Sequence, residues 1–441
     1  MYTTLLIFFM VYLVMGVGKL PAFNVDRTGA AVVGALAMIV AGSLSPQAAW
    51  DAIDYRTLGL LFGLMVVSGA FTVSGFYAWA AEKVATLKIT PVALLAVFIA
   101  VSAGLSSLLT NDVVVLSMTP LLVSVALARG LNPVPFLLAF CFAANSGAAG
   151  TLIGSPQNMI AAQALDLSFN EFMIAAGVPA LLSLPIIWCI IAWQYRGKWT
   201  LERKTDKAVV HPPIQLDKVE TTKAIIVASA VIIALVADIW PRELVALAGA
   251  GILLVNRSLA SKDVLKQVDG NLLLLIIGLF ICNQALANTG LPQSLFDWLR
   301  HVGIDVNDPI SLFVAGSLLS DVVGNNPAVM LLSHYLHPDG NAQSLGAAIA
   351  LGTGFSSNLI IFGSLAGIIS TAQAAGVTIS GTSRHRRLAK VVMFIASATR
   401  TPPMMMGTAL GNSTRHSTWR GVMPMPTAAS FSEAGTFFKP S

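Results

Sequence analysis

The chain has 441 residues, of which 56% are hydrophobic and only 11% are charged, and its mean hydropathy is +0.77. These values exclude an ordinary soluble globular protein and predict an all-α polytopic membrane protein. The net charge of +5 does not indicate a nucleic-acid partner, because Lys and Arg accumulate in the cytoplasmic loops of membrane proteins and explain the excess.

Apolar runs separated by short polar joints predict the helices in chain order. A helix needs about 20 apolar residues to span a bilayer, and several of these runs are shorter. Short runs indicate re-entrant or broken helices, whose backbone groups must be satisfied by protein or by a water-filled cavity. The clearest runs are residues 3–18, 28–44, 57–74, 90–109, 113–128, 172–195, 224–237, 244–255 and 272–287.

Residues 53–76 are repeated at residues 268–291, 215 positions later in the chain. Seven positions of this alignment are identical, and the same offset brings Asn111 onto Asn326. An apolar chain built from two similar halves is typical of secondary transporters. The identical pairs are Asp54 and Asp269, Leu58 and Leu273, Leu60 and Leu275, Gly63 and Gly278, Leu64 and Leu279, Ala70 and Ala285, and Gly75 and Gly290.

Composition divides the chain into four segments. We predict an N-terminal membrane repeat over residues 1–195, a polar linker over 196–223 and a C-terminal membrane repeat over 224–380. Residues 381–441 are rich in Arg, Ser, Thr, Pro and Met, with only a short apolar stretch at residues 388–398. This composition indicates either a disordered tail or a shifted reading frame.

The basic residues predict the orientation of the chain in the membrane. The linker carries seven Lys and Arg residues, so it is expected in the cytoplasm. Counting membrane crossings from the linker places the N-terminus outside. Nineteen Lys and Arg residues then lie on the cytoplasmic side, three lie outside and four lie in the unassigned tail. Thr28 then enters its span from the cytoplasm, whereas its equivalent Glu243 enters from outside. The sequence therefore predicts two inverted-topology repeats.

Two short polar turns interrupt apolar segments at equivalent places, residues 106–112 and 320–327. Each predicts the tip of a re-entrant helical hairpin, where amides, hydroxyls and a new helix N-terminus meet. An ordinary capped turn is the alternative, because Asn and Asp cap helices well. Two matching polar turns within apolar hairpins favour a binding site. Its predicted ligands are Thr110, Asn111, Asp112, Asn325 and Asn326.

Two Gly-rich segments, residues 145–158 and 352–367, predict an unwound helix in each half. Glycine lowers the cost of unwinding, and Pro156 removes a backbone donor. Close helix packing through small residues is the alternative for the glycines, but it does not explain the amide side chains. The predicted ligands here are Thr151, Ser155, Gln157, Asn158, Ser357, Asn358 and Ser364.

Asp112 and Asp321 are the only acids within the polar breaks, so they are the candidates to carry a coupling proton or to bind Na⁺. For Asp321, an interfacial helix-terminal charge is the alternative. Side-chain oxygens of Asn111 and Asn326 are further candidate Na⁺ ligands. No Lys or Arg lies within the breaks, so a bound anion is expected to depend on helix N-termini and amides.

At these residues the chain resembles the ion transporter superfamily, which includes arsenite permeases, NhaD-type antiporters, citrate-metal symporters and sodium-dicarboxylate carriers. Residues 110–112 and 325–327 resemble the hairpin tips of its bacterial anion-permease branch, and residues 154–158 and 363–366 resemble its unwound segments. The resemblance implies elevator-like transport of a small inorganic or organic anion, coupled to H⁺ or Na⁺ without another cofactor. The Ser-Asn-Thr signature of the dicarboxylate branch is missing, and Gly367 stands where the family usually has Asn.

A Na⁺/H⁺ antiporter is the main alternative function, and an intramembrane enzyme or a non-transporting receptor are further ones. The sequence has neither a phosphate-binding P-loop nor a His-Glu-x-x-His or Gly-x-Ser-x-Gly motif, so we expect no enzyme. The expected partners are the lipid bilayer and the small anion, and a homodimer is compatible with the sequence.

Overall fold

The computed structural model describes residues 1–20, 25–200, 216–255, 260–337 and 341–359. These residues form helices almost throughout, together with a two-stranded antiparallel ribbon of β1 (Lys19–Leu20) and β2 (Val25–Asp26). Within the described ranges, six helices are long and apolar enough to cross a membrane: α4, α6, α7, α10, α11 and α14. The predicted all-α polytopic membrane fold is confirmed.

The described helices of the first half are α1 (Tyr2–Val17), α2 (Arg27–Val40), α3 (Pro46–Asp51), α4 (Tyr55–Val73), α5 (Phe76–Ala85), α6 (Pro91–Leu108), α7 (Asn111–Ala128), α8 (Pro133–Ala149), α9 (Pro156–Ala164) and α10 (Phe169–Gln194). Those of the second half are α11 (Lys218–Ala237), α12 (Arg242–Leu254), α13 (Ser261–Leu265), α14 (Gly270–Ala287), α15 (Leu291–His301), α16 (Pro309–Val323), α17 (Asn325–Ser333) and α18 (Ala342–Leu359). The predicted tail lies outside the described residues.

The sequence repeat is also a repeat of helix boundaries. Helices α2 to α5 and α12 to α15 begin at the same 215-residue offset. Asp54 and Asp269 cap α4 and α14 by accepting hydrogen bonds from backbone N–H groups of the first turn. Gly75 and Gly290, with φ of 80° and 71°, make the equivalent left-handed turns before α5 and α15. Identical residues therefore set identical boundaries in the two halves.

The two halves interlock through reciprocal helix contacts. Helix α4 packs on α12, and their equivalents α14 and α2 pack on each other. A Cβ added to Gly63 would lie 2.5 Å from the carbonyl carbon of Ala246, and one added to Gly278 would lie 2.7 Å from that of Ala31. Ala31 and Ala246 are themselves 215 positions apart. Reciprocal contacts of this kind are the signature of a two-fold relation between the halves.

Both predicted hairpins are present. Leu109 and Thr110 connect α6 to α7, while Gly324 connects α16 to α17. Hydrogen bonds close the base of each hairpin, from Arg129 to the Leu87 carbonyl and from the His337 N–H to Asn307 Oδ1 (2.8 Å). Each hairpin packs on the helix that follows it, α6 on α8 and α16 on α18.

The unwound segments follow the prediction in the first half only. Helix α8 ends at Ala149 and α9 begins at Pro156, with a break over residues 150–155. Residues 352–358 instead lie within α18, so the prediction that unwinding begins at Gly352 is wrong. Close packing explains this glycine, because an added Cβ would lie 2.7 Å from the Phe313 carbonyl oxygen. The rest of that segment, residues 360–367, lies outside the described residues.

Hydrogen bonds between helix ends agree with the crossings counted from the charges. Every one of the following bonds joins two ends that the count places on the same side of the membrane. On the predicted cytoplasmic side they are Thr28 to Asn271, Asn132 to Lys198 and Lys223 to Val255. On the opposite side they are Asn170 to Val236, Arg242 to Gln163 and Gln343 to Glu171.

Candidate functional site

A chain of three asparagine amides connects the two halves at the centre of the protein. Asn111 Nδ2 donates to Asn145 Oδ1 at 3.5 Å, and Asn145 Nδ2 donates to Asn358 Oδ1 at 3.0 Å. Asn111 begins α7 at the first hairpin tip, Asn145 lies in α8, and Asn358 lies near the end of α18. Asn111 and Asn145 are buried. Residues that are distant in sequence thus form one polar centre.

The first hairpin tip is bonded directly to the break between α8 and α9. The Asn111 N–H donates to the Gly154 carbonyl at 3.1 Å, and Thr151 Oγ1 donates to the Ser107 carbonyl at 2.6 Å. An added Cβ at Gly154 would lie 2.5 Å from the Ala148 carbonyl oxygen, so only glycine fits this approach. The tip and the break therefore form one rigid unit.

Asn158 holds the unwound segment in place. Its amide nitrogen donates to the Ala148 carbonyl (2.8 Å) and to the Thr151 carbonyl (2.7 Å), which are left free where α8 ends. Its Oδ1 is buried without a hydrogen-bond partner. Asn158 thus fixes the break and leaves one acceptor for a ligand.

The variant Asn158→Asp is expected to reduce transport at least about tenfold. A carboxylate would place oxygens against two carbonyl oxygens and leave them without donors, at about 1–3 kcal/mol for each buried group. Initial uptake rates in proteoliposomes measure the effect. The control is Asn170→Asp, which changes an exposed amide bonded to the Val236 carbonyl. Equal rates for Asn158→Asp and wild type would contradict this role.

Several buried polar atoms without partners belong to the two hairpin tips and to the Gly-rich segment of residues 145–158. Folded proteins leave few such groups, and a buried hydroxyl without a partner costs free energy. These atoms are free to accept or donate a hydrogen bond. In the first half they are Ser106 Oγ, Thr110 Oγ1, Ser146 Oγ, Ser155 Oγ and Asn158 Oδ1, and in the second half they include Asp321 Oδ1 and Asn326 Oδ1.

The second hairpin tip turns at Gly324, whose φ of 94° favours glycine. Ser320 Oγ donates to Asn325 Oδ1 at 2.6 Å across this turn. From α1, the Tyr12 hydroxyl donates to Asn283 Oδ1 at 2.9 Å and lies 3.4 Å from the Pro327 carbonyl oxygen. The Tyr12 hydroxyl thus contacts the tip from α1 and is itself bonded to Asn283 of α14.

A guanidinium group also reaches this tip. Arg27 Nη1 lies 3.6 Å from the position that a Cβ on Gly324 would take, and Arg27 Nε is buried without a partner. The dependence of a bound anion on helix N-termini and amides stays a prediction, and Arg27 is a further donor beside this tip. Arg27 lies outside the polar breaks in the sequence, but folding brings it to one of them.

The other predicted ligands have different surroundings. Gln157 is buried in the first turn of α9. The half-buried Asp112 lies in the first turn of α7, where a carboxylate is favoured by the helix dipole. Ser357 belongs to α18, and Ser364 lies outside the described residues.

Sequence reasoning missed four residues of the site: Tyr12, Arg27, Asn145 and Asn283. For two of these four residues, the sequence contains a signal that points to them. Asn145 lies within the predicted unwound segment, and Arg27 is repeated as Arg242 at the 215-residue offset. Tyr12 and Asn283 lie in apolar helices whose partners are distant in sequence, so only the structure shows that they meet.

The arrangement can bind a small polar ion. Amide N–H groups, hydroxyls and the nearby guanidinium are donors for an oxyanion, while amide, hydroxyl and carbonyl oxygens are ligands that suit Na⁺. Among the described residues, no group of three or more His, Cys, Asp or Glu side chains is arranged for a transition metal. The three asparagines of this arrangement come from both halves of the chain.

Known proteins were compared with this chain at the levels of family, sequence and fold. The family model described as "Citrate transporter" matches residues 10–354. An uncharacterized transporter of Mycobacterium tuberculosis is 29% identical over 387 residues, covering 81% of this chain and 88% of that protein. The magnetosome protein MamN of Magnetospirillum gryphiswaldense is 28% identical over 379 residues, covering 82% of this chain and 85% of MamN.

Among solved structures, the fold is similar to the YdaH transporter of Alcanivorax borkumensis. The TM-score is 0.50, and the match covers 93% of this chain and 97% of that one. Because the two sequences are only 15% identical, the likeness concerns the fold alone.

Proposed function

The chain belongs to the citrate transporter family, and on that premise we propose that it is a secondary active transporter of a small inorganic or organic anion, coupled to H⁺ or Na⁺. Its family and its relatives are transporters, not enzymes. The observation that carries the proposal is the hydrogen-bonded chain of Asn111, Asn145 and Asn358, which unites both halves. The unpartnered hydroxyls around it provide the contacts that an anion and a cation need.

An elevator-like movement agrees with the packing. Helices α2, α4, α12 and α14 form the interlocked part, whereas the two hairpins pack on α8 and α18. Helices α8 and α18 also pack on each other. The hairpins, α8 and α18 would thus move as one body against the interlocked helices and carry the ion across the membrane.

Inverted repeats in a bacterial inner membrane are the proposed topology. The N-terminus lies outside and residues 196–223 lie in the cytoplasm, as the basic residues favour. Two bonds between helix ends support this topology. Thr28 at the start of α2 bonds to Asn271, and Arg242 at the start of the equivalent helix α12 bonds to Gln163. The charge count places the first pair in the cytoplasm and the second pair outside. A homodimer is the proposed assembly, and cross-linking in native membranes tests it.

Gradient-driven uptake into proteoliposomes tests the function. The panel is arsenite, phosphate, sulfate, citrate, succinate and Na⁺, each measured under an imposed pH gradient, an imposed Na⁺ gradient and no gradient. We expect one of the anions to accumulate above its equilibrium level only when one of the gradients is present. Failure of all the anions to accumulate would contradict the proposal.

A Na⁺/H⁺ antiporter is the second candidate, because Asp112 and Asp321 both lie at hairpin tips and Asp321 Oδ1 is buried without a partner. It predicts Na⁺/H⁺ exchange in the absence of any added anion. We expect Asp112→Asn and Asp321→Asn to abolish such exchange if it exists. Anion-independent exchange in wild type would favour this alternative over anion transport.

A further inference from the structure

Arg27 is a half-buried cation for which the described part of the chain provides no counter-charge. It is the first residue of α2, and its Nε is buried with no hydrogen-bond partner. Within the described residues, no carboxylate oxygen lies within 4.0 Å of its guanidinium nitrogens. A half-buried charge without a partner is costly, so the position of Arg27 needs an explanation.

The equivalent arginine in the other half is paired. Arg242 also begins its helix, α12, 215 positions after Arg27. Its Nη1 donates to Gln163 Oε1 at 3.3 Å, and its Nε lies 4.0 Å from Asp238 Oδ1. Arg27 and Arg242 thus occupy equivalent positions in the repeat, but they differ in their hydrogen-bond and ion-pair partners. Arg242 has a structural explanation that Arg27 lacks.

Arg27 lies beside the second hairpin tip. Its Nη1 lies 3.6 Å from the Cβ position of Gly324, the residue at which α16 turns into α17. Two residues further, Asn326 Oδ1 is also buried without a partner. The Tyr12 hydroxyl lies 3.4 Å from the Pro327 carbonyl oxygen of the same tip. The guanidinium therefore adjoins a turn that carries candidate ion ligands.

We propose that Arg27 supplies the positive charge that binds the transported anion at the second hairpin tip. The planar guanidinium donates two parallel hydrogen bonds to a carboxylate or to another oxyanion with two available oxygens. The proposal rests on the proposed transport function and narrows its substrate class to ionised oxyanions. A neutral solute such as undissociated arsenous acid would form no ion pair with this residue.

Uptake kinetics of Arg27→Gln and Arg27→Lys test this role, with citrate and each other anion of the panel that wild type transports. We expect Arg27→Gln to raise KM at least about tenfold, because a charge-assisted hydrogen bond is lost. Vmax should change less than about twofold, and Arg27→Lys should keep part of the affinity. The matched control is Arg242→Gln, for which KM should change less than about twofold.

A second measurement separates the charge of Arg27 from its shape. Arg27→Cys is made together with Cys189→Ser, since Cys189 is exposed whereas Cys141 and Cys282 are buried. Modification with a cationic aminoethyl thiosulfonate should lower KM again, whereas a neutral hydroxyethyl thiosulfonate should not. Equal effects of the two reagents would show that the residue acts through its shape and would overturn the proposal.

The outcomes distinguish this proposal from the function on which it rests. An unchanged KM in Arg27→Gln, together with normal anion uptake, would refute the role of Arg27 and leave the transport function standing. If wild type transports none of the anions, the proposed function is refuted and the role of Arg27 with it. Thermal unfolding of each purified variant shows whether it is folded.

Discussion

Asn145→Ala is expected to reduce anion transport at least about tenfold, and it is the substitution with the largest predicted effect on activity. Asn145 accepts a hydrogen bond from Asn111 and donates one to Asn358 at 3.0 Å. Its removal would leave both neighbouring amides with an unsatisfied group. Each such group costs about 1–3 kcal/mol, and about 1.4 kcal/mol corresponds to a factor of ten. Initial uptake rates in proteoliposomes measure the loss.

The control for this experiment is Asn288→Ala. Asn288 is an exposed amide at the end of α14, where it accepts a hydrogen bond from Gln284 at 2.9 Å. Its removal should leave transport within about twofold of wild type. If Asn145→Ala also remained within twofold, the amide chain would not be part of the transport site.

Gly63→Ala and Gly278→Ala are expected to destabilise the protein by similar amounts, about 1–3 kcal/mol each, through overpacking. Each new Cβ would lie well inside contact distance of the backbone of Ala246 or Ala31, and backbone atoms cannot move aside as a flexible side chain can. Thermal unfolding of the detergent-solubilised protein measures the effect as a lower Tm. Equal losses at both positions are expected because the two contacts are equivalent in the repeat.

The matched control is Gly251→Ala, in the same helix α12 that packs on α4. An added Cβ there meets no atom within 4 Å. Alanine should therefore stabilise the helix by roughly 0.5–1 kcal/mol relative to glycine. If Gly63→Ala were as stable as Gly251→Ala, or if only one of the two repeat positions were sensitive, the reciprocal interlocking of the halves would be contradicted.

The helical architecture and the repeat could be predicted because local signals determine them. Apolar runs indicate helices, and Asp54, Asp269, Gly75 and Gly290 are short-range boundary signals that the structure uses in the same way. The hairpin tips were predictable for the same reason, since polar residues interrupt apolar segments there. The count of basic residues also predicts which helix ends share one side of the membrane. The bonds from Thr28 to Asn271 and from Asn170 to Val236 each join two such ends.

The centre of the site was less predictable, because tertiary contacts decide it. Glycine permits both unwinding and close packing, and the sequence does not show that Gly352 faces the Phe313 backbone. Arg27 directly precedes the apolar run 28–44, and nothing in its neighbours along the chain indicates a distant contact. Its approach to Gly324, almost 300 residues later, depends on how the two halves interlock.

We propose that this chain carries an anion across the membrane, rather than only binding it. Counterflow measures this directly: proteoliposomes are loaded with unlabelled citrate, phosphate, sulfate or succinate and diluted into a trace of the same labelled anion without an ion gradient across the membrane. We predict transient accumulation of label for at least one anion, and none with Asn145→Ala. Binding of an anion to the purified protein without any counterflow would contradict the claim and indicate a receptor.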